Sequence, residues 1–541
     1  MEAKWRLEKP QNDMDSIPTY ASGTPEREEL IKQFGVIRSQ TEEIPLIING
    51  KEVETGDFYE VKSPHDHQQI LARAHLAGEA ELKDAIDGAV AAQESWAELD
   101  GYQRAAIFNR AADILAGPRR IENLAAIMVN QSKTPFEAEI DLIELIDFWR
   151  FNAYYMQFLY DQQPGQAPGE INRFDWRPLE GFVMAISPFN FYAIGGNLPT
   201  APAMVGNVSL WKPASSVLYS NYRIMQILIE AGLPDGVIQF VPFSSKHSDV
   251  VMTHSELAGL HFTGSYETLV HLWQKIGSNL SRYRSFPRII GETGGKDFIL
   301  VHQSAKLEMI APNAIRGAFE YQGQKCSAAS RMYVPESLWP DVKSHMLEII
   351  PKLKVGSTED LETSVAAIIT EDAYRNITNY IDYAKENSSE YEILFGGEYD
   401  DSKGWFVTPT VIITSNPDSK LICEEIFGPV LTIFVYPDSD YENTLDLVDR
   451  ATTFALTGSI FAQDRMAIEY AEKKLRFAAG NFYINDKPTG AIVGRQPFGG
   501  ARHSGTNDKA GSWLNMSRWL SPRTIKETLV PPTDWPRPYQ S

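Results

Sequence analysis

The sequence predicts an α/β fold with largely parallel sheets, and three observations carry that prediction. Short apolar runs alternate with amphipathic stretches from about residue 180 onward. Glycines stop two of those stretches, at Gly232 and Gly277. No short-period repeat or low-complexity tract interrupts the pattern. The chain has 541 residues, 43% of them hydrophobic and 22% charged, enough to build a large core. At about 150 residues per domain, that length suggests two to four domains.

The elements follow in order. Residues 1–45 are polar and Pro-bearing and read as an arm. Residues 46–53 (LIINGKEV) read as a strand, a turn at Asn49-Gly50 and a return strand. Residues 79–150 turn helical: the runs 81–96 and 101–115 place apolar side chains at three- and four-residue steps. Residues 161–178 are rich in Gln, Pro and Gly, carry Phe174 and Trp176, and read as a protruding hairpin or excursion. Strands are expected at 182–186, 208–211, 237–241 and 260–262, with helices over 217–231 and 266–276. A second α/β unit begins near Ile289, with strands such as 298–301 and 431–435.

Charge narrows the function. Fifty Lys and Arg against 71 Asp and Glu give a net charge of −21. Such a chain repels phosphate backbones and anionic membrane surfaces, so neither nucleic acid nor membrane is an expected partner. The first twenty residues have no apolar h-region and mix acids with bases, unlike a secretory or transit peptide. The least polar stretch, 182–211, contains Pro188, Asn190, Gly195, Gly196, Pro199 and Pro202 and does not read as a membrane span. The expected setting is a reducing compartment: the cytoplasm, or the mitochondrial matrix of a eukaryote after removal of a leader.

Two cysteines allow at most one disulfide and exclude a four-cysteine metal site; no metal is expected. Each is a buried small hydrophobe or a reactive thiol. Cys423 is followed by acidic residues and reads as structural. Cys326 lies among polar and small residues beside Lys325, whose cation is expected to lower the thiol pKa.

The remaining motifs are short. The chain contains no G-x-G, so a standard dinucleotide fingerprint and a Walker loop are both absent. Asn190, after the strand 182–186, is a satisfied structural amide or a donor to a developing oxyanion. Lys212 ends a strand where α/β folds bind ligands; Thr263-Gly264-Ser265 opens a helix whose amino end suits a pyrophosphate. Glu292, among Gly291, Gly294 and Gly295, is a solvated turn residue or a general base.

In chain order, SPFNF, WKPAS, HFTGS, GETGGKD, GQKCSAASR and CEEIFGPV together resemble the aldehyde dehydrogenase superfamily. GETGGKD, EYQGQKCSAASR, the late strings at 496–502 and 504–509 and residues 23–27 narrow the resemblance to the branch acting on glutamate γ-semialdehyde. It spans about residues 23–527. The fold it implies is a non-standard Rossmann NAD-binding domain (46–160 and 179–290), an α/β catalytic domain (291–510) and a small oligomerisation flap (161–178 and 511–541), after the arm. The activity implied is NAD-dependent oxidation of L-glutamate γ-semialdehyde, derived from 1-pyrroline-5-carboxylate, to L-glutamate in proline catabolism. The flap implies a homodimer or higher homo-oligomer.

The resemblance assigns roles residue by residue. Cys326 is the nucleophile, Asn190 the oxyanion donor and Glu292 the base that hydrolyses a thioester. Ile186, Ser187, Pro188, Lys212, Thr263, Gly264, Ser265, Glu425 and Phe427 hold NAD. Ser327, Gly490 and Ala491 hold the substrate's α-carboxylate, Phe191 and Phe498 its stem, and Glu139 is a carboxylate near the site. Where many relatives carry an acid after the strand-end lysine, this chain has Ala214, Ser215 and Ser216, which implies some tolerance of NADP. His261 reads as structural. Two other readings stand beside it: a dehydrogenase for another carboxylate-bearing semialdehyde such as succinate semialdehyde, which would use arginine anchors, and a non-catalytic homologue, which would lack Cys326, Asn190 or Glu292.

Overall fold

The computed structural model describes residues 6–12, 14 and 17–540. Two seven-stranded sheets organise the chain. The first runs Arg288–Glu292, Leu257–Thr263, Phe182–Ile186, Val208–Lys212, Ile238–Phe240, Leu46–Ile48, Lys51–Val53. Its first five strands are mutually parallel. The expected hairpin closes it antiparallel, turning at Asn49 and Gly50, both at positive φ. Its central strands are buried on both faces, hence their continuous apolar sequences.

The second sheet runs Tyr391–Phe395, Thr410–Thr414, Val430–Tyr436, Ala329–Pro335, Asp297–Val301, Thr457–Phe461, Asn481–Ile484. Every neighbour pair is parallel except the first. The weakly polar stretch divides into strand Phe182–Ile186, helix Tyr192–Met204 and strand Val208–Lys212. Among the described residues no helix is long and apolar enough to cross a membrane.

Two expectations need amendment. The presumed arm is built into the core from Pro25: helix Pro25–Arg38 buries Leu30, Phe34 and Ile37 and packs on helix Arg120–Gln131. Strand Glu42–Ile44 then pairs parallel with Asp66–His75. Three apolar side chains on one face were masked by a strongly charged sequence. The stretch 161–178, read as a hairpin or excursion and as half of a flap with 511–541, is not a hairpin closed on itself. Its strand Glu170–Pro178 pairs antiparallel over nine residues with Leu520–Thr528, forming a two-stranded ribbon from distant segments.

Candidate active site

Chain order in the first sheet runs outward from Phe182–Ile186 through Val208–Lys212 to Ile238–Phe240, then returns to the other flank at Leu257–Thr263. Ligands in open α/β sheets gather at the carboxyl ends of strands beside such a reversal. A cavity of about 410 Å³ lies there. Ile186, Ser187, Pro188, Asn190, Lys212, Thr263, Gly264 and Ser265 line it from the first sheet; Cys326, Glu425 and Phe427 line it from the second. Ala214, one of the three positions without an acid, also lines it; Phe189, Phe262, Thr268, Thr293 and Gly294 complete the wall and carry no role in the sequence reading. Ser265 caps helix Tyr266–Gly277, its Oγ accepting from Thr268 N.

The two sheets meet through Thr293–Lys296. A Cβ on Gly294 would lie 2.0 Å from Glu425 Oε1, and one on Gly295 2.6 Å from the Cys326 carbonyl oxygen. The paired glycines are what let both segments approach. Gly295 N donates to Glu425 Oε1 at 2.9 Å. Burial raises the Glu425 carboxyl to about 7, opposed by that N–H and by Lys296. Phe427 sits at φ 59°, a strained conformation for a bulky residue, with its ring edge-on to Phe189.

Cys326 follows a turn in which Tyr321 and Gln322 both take positive φ. The expected help from Lys325 is absent. Lys325 Nζ is buried 3.0 Å from Glu320 Oε2, neutralised by that carboxylate. Burial pushes the Cys326 thiol well above its usual range, and the carboxylates of Asp297, Glu292, Glu425 and Glu144 add to the rise. Sequence adjacency therefore misled, because the lysine's charge is matched by Glu320 while burial dominates at the thiol. Asn190 Nδ2 donates one hydrogen to the Gln324 carbonyl at 3.1 Å. An amide carries two, so the second is free for an oxyanion in the cavity it shares with Cys326.

Glu292 ends strand Arg288–Glu292, and its carbonyl accepts from Gly264 N. Its carboxylate points to a rear cavity of about 50 Å³ that also reaches Cys326, and Oε2 accepts from Gly500 N at 3.1 Å. Burial raises its pKa well above the ordinary value; the Gly500 N–H opposes this and Asp508 reinforces it. The late string at 496–509 thus has a physical job, wrapping Glu292. His261 donates Nδ1–H to the Leu198 carbonyl, packs on Trp519, and is lowered to about 4 by burial, as a structural neutral imidazole.

On the far side of Cys326 lies a narrow cavity of about 70 Å³. Ser327, Gly490, Ala491, Phe191 and Phe498 line it, together with Met14, Ile140, Glu144, Ile194, Lys325 and Thr489. The Ser327 and Thr489 hydroxyls lie 2.8 Å apart. Glu139 is not at the site, which corrects the sequence expectation. Its fully buried carboxylate pairs with Arg120 at 2.6 Å and accepts from the Tyr20 hydroxyl. The carboxylate in the cavity is Glu144, five residues on and so about 140° around helix Pro135–Tyr160. The structure separates the two acids by their partners. Of the acids on this buried helix, Glu137, Glu139, Asp141 and Asp147 each have a hydrogen-bond partner. Glu144 has none among the described residues, and burial, with Asp141 next, raises it to about 8. Arg120→Ala leaves Glu139 buried and unpaired. It should cost about 3–5 kcal/mol of stability with little change in KM, as denaturant unfolding and steady-state kinetics would show.

Known proteins share this sequence pattern and fold. The aldehyde dehydrogenase family profile matches residues 51–525. A Danio rerio protein named delta-1-pyrroline-5-carboxylate dehydrogenase, mitochondrial, is 48% identical over 530 residues, covering 97% of this chain and 95% of that one. The crystal structure of the Delta-pyrroline-5-carboxylate dehydrogenase from Mycobacterium tuberculosis bound with NAD superposes with a TM-score of 0.95 at 46% identity, covering 100% of both chains. The 1-pyrroline-5-carboxylate dehydrogenase from Thermus with bound NAD gives 0.90 at 30% identity, covering 96% of this chain and 99% of that one. With the two-sheet crevice, the paired glycines and a cysteine facing both cavities, these matches show that the chain belongs to the aldehyde dehydrogenase family.

Proposed function

We propose that this chain oxidises L-glutamate γ-semialdehyde to L-glutamate with NAD, in proline catabolism. One observation carries the reading: Cys326 borders both a cofactor-sized groove and a second cavity whose groups match the substrate end to end. Gly490 and Ala491 offer backbone N–H groups, beside Ser327 and Thr489, to an α-carboxylate. Glu144 offers a carboxylate to the ammonium, and Phe191 and Phe498 enclose the aliphatic stem. Relatives at 46–48% identity, named as 1-pyrroline-5-carboxylate dehydrogenases, support it.

The groove fits NAD. Ser265 opens helix Tyr266–Gly277, whose first-turn N–H groups suit a pyrophosphate, Gly264 keeps the turn free of a side chain, Lys212 stands at a neighbouring strand end, and Glu425 reaches a ribose. Bound NAD supplies the hydride acceptor. The rest is done by the chain. The Cys326 thiolate adds to the aldehyde carbon, and Asn190 Nδ2 and the Cys326 N–H hold the resulting alkoxide. Loss of hydride leaves a thioester on Cys326. Glu292 takes a proton from water, which cleaves the thioester to the carboxylate and frees Cys326. No acidic side chain stands at Ala214, Ser215 or Ser216 to repel a 2′-phosphate, so NADP is accepted at lower efficiency.

An NADH-production assay comparing pyrroline-carboxylate, succinate semialdehyde and propanal, with NAD and then NADP, tests the reading. Preference for succinate semialdehyde would overturn it. Ser327→Ala, or Gly490→Val at a backbone φ of +94°, should raise KM for glutamate semialdehyde about tenfold and much less for propanal; equal effects would reject the carboxylate anchor. The reading includes self-association through the ribbon, whose strand leaves Ile171 exposed beside Leu529 and Val530. A monomer mass by light scattering at micromolar concentration would remove that part. Two free cysteines fit a reducing compartment.

A further inference from the structure

We propose that Met14 forms one wall of the aldehyde cavity and sets the chain length of the aldehyde accepted. The inference rests on the aldehyde-oxidising reading above. Met14 lines the same narrow cavity as Cys326, Phe191 and Phe498, although it lies far from them in sequence.

Asn12 and Tyr20, before and after Met14 in sequence, are both anchored by hydrogen bonds. The Asn12 side chain donates to Asp147 Oδ2 at 2.8 Å and to the Val493 carbonyl at 2.7 Å, and accepts from Arg495 Nε at 2.9 Å. One amide therefore stitches the helix that carries Glu144 to the loop that follows Gly490 and Ala491. Beyond Met14, the Tyr20 hydroxyl donates to Glu139 and its carbonyl accepts from Arg27. Helix Pro25–Arg38 then anchors the segment in the core. A side chain held between such points has a defined reach, and methionine fills irregular apolar space without a preferred shape. It meets the substrate stem, while Cys326 fixes the aldehyde end.

The test is NADH production over straight-chain aldehydes from propanal to octanal, plus glutamate semialdehyde and its one-carbon-longer homologue. Met14→Ala should raise the ratio of kcat/KM for longer over shorter aldehydes about tenfold, through KM rather than kcat. Met14→Trp should move the optimum the other way and keeps the test decisive if the alanine variant folds poorly. Asn12→Ala should shift the profile in the same direction as Met14→Ala, and Met14→Leu should restore the wild-type profile. A profile unchanged in Met14→Ala and Met14→Trp, or a uniform loss of kcat at every length, would overturn the proposal. If the wild type ignores glutamate semialdehyde yet the variants shift the alkanal series, the substrate reading fails and the wall stands.

Discussion

Cys326→Ala should abolish aldehyde oxidation, with a loss of at least about 10⁴-fold in kcat, while NAD still binds. The geometry demands both halves of that result. Cys326 is the residue lining the groove, the aldehyde cavity and the rear cavity together. The groove's other walls come from strand ends that a sulfur deletion leaves untouched. Steady-state rates and calorimetric NAD binding check it; near-normal turnover in the variant would end the covalent mechanism. Because burial and four carboxylates raise the thiol, alkylation of the free enzyme at neutral pH should be slow. It should accelerate when the positively charged nicotinamide of NAD⁺ enters beside it.

Glu292→Gln should separate the two half-reactions. Rapid mixing should show a normal NADH burst followed by a steady state slowed about 10²- to 10⁴-fold, the range for a positioned base. A slowed burst with an unchanged ratio would show that Glu292 serves the first step instead. The pH dependence has a definite sign. Burial raises the Glu292 pKa, so at acidic pH the group carries a proton and cannot act as base. Thioester hydrolysis should therefore rise with pH on a limb displaced upward from the ordinary carboxylate range, and Glu292→Gln should flatten that limb.

What was legible in the sequence divides by the range of the interaction. Strand and helix periodicities are local, and Phe182–Ile186, Leu257–Thr263 and Tyr266–Gly277 lie within a few residues of their expected bounds. The groove was legible because it is made of strand ends, and strand ends are marked by the small and polar residues that follow apolar runs. Glu139 against Glu144 was not. Both sit on a helix buried all round, so no polar face betrays which acid meets an arginine and which meets a cavity. The Lys325 expectation failed because Glu320 matches its charge, while burial and carboxylates brought from distant segments raise the thiol. Met14 had no local signature, since only tertiary contacts carry it to the cavity.

The ribbon has a consequence for biosynthesis. Arg177 and its partner Ser521 are 344 residues apart. At translation speeds of about 5–20 residues per second, strand Glu170–Pro178 emerges roughly 20–70 s before Leu520–Thr528 exists. For that interval the nascent chain displays an unpaired strand bearing Ile171, Phe174 and Trp176, the kind of edge that recruits neighbouring chains. Polysomes place identical nascent chains side by side, so this edge is where co-translational aggregation should begin and where a ribosome-associated chaperone would have most to shield.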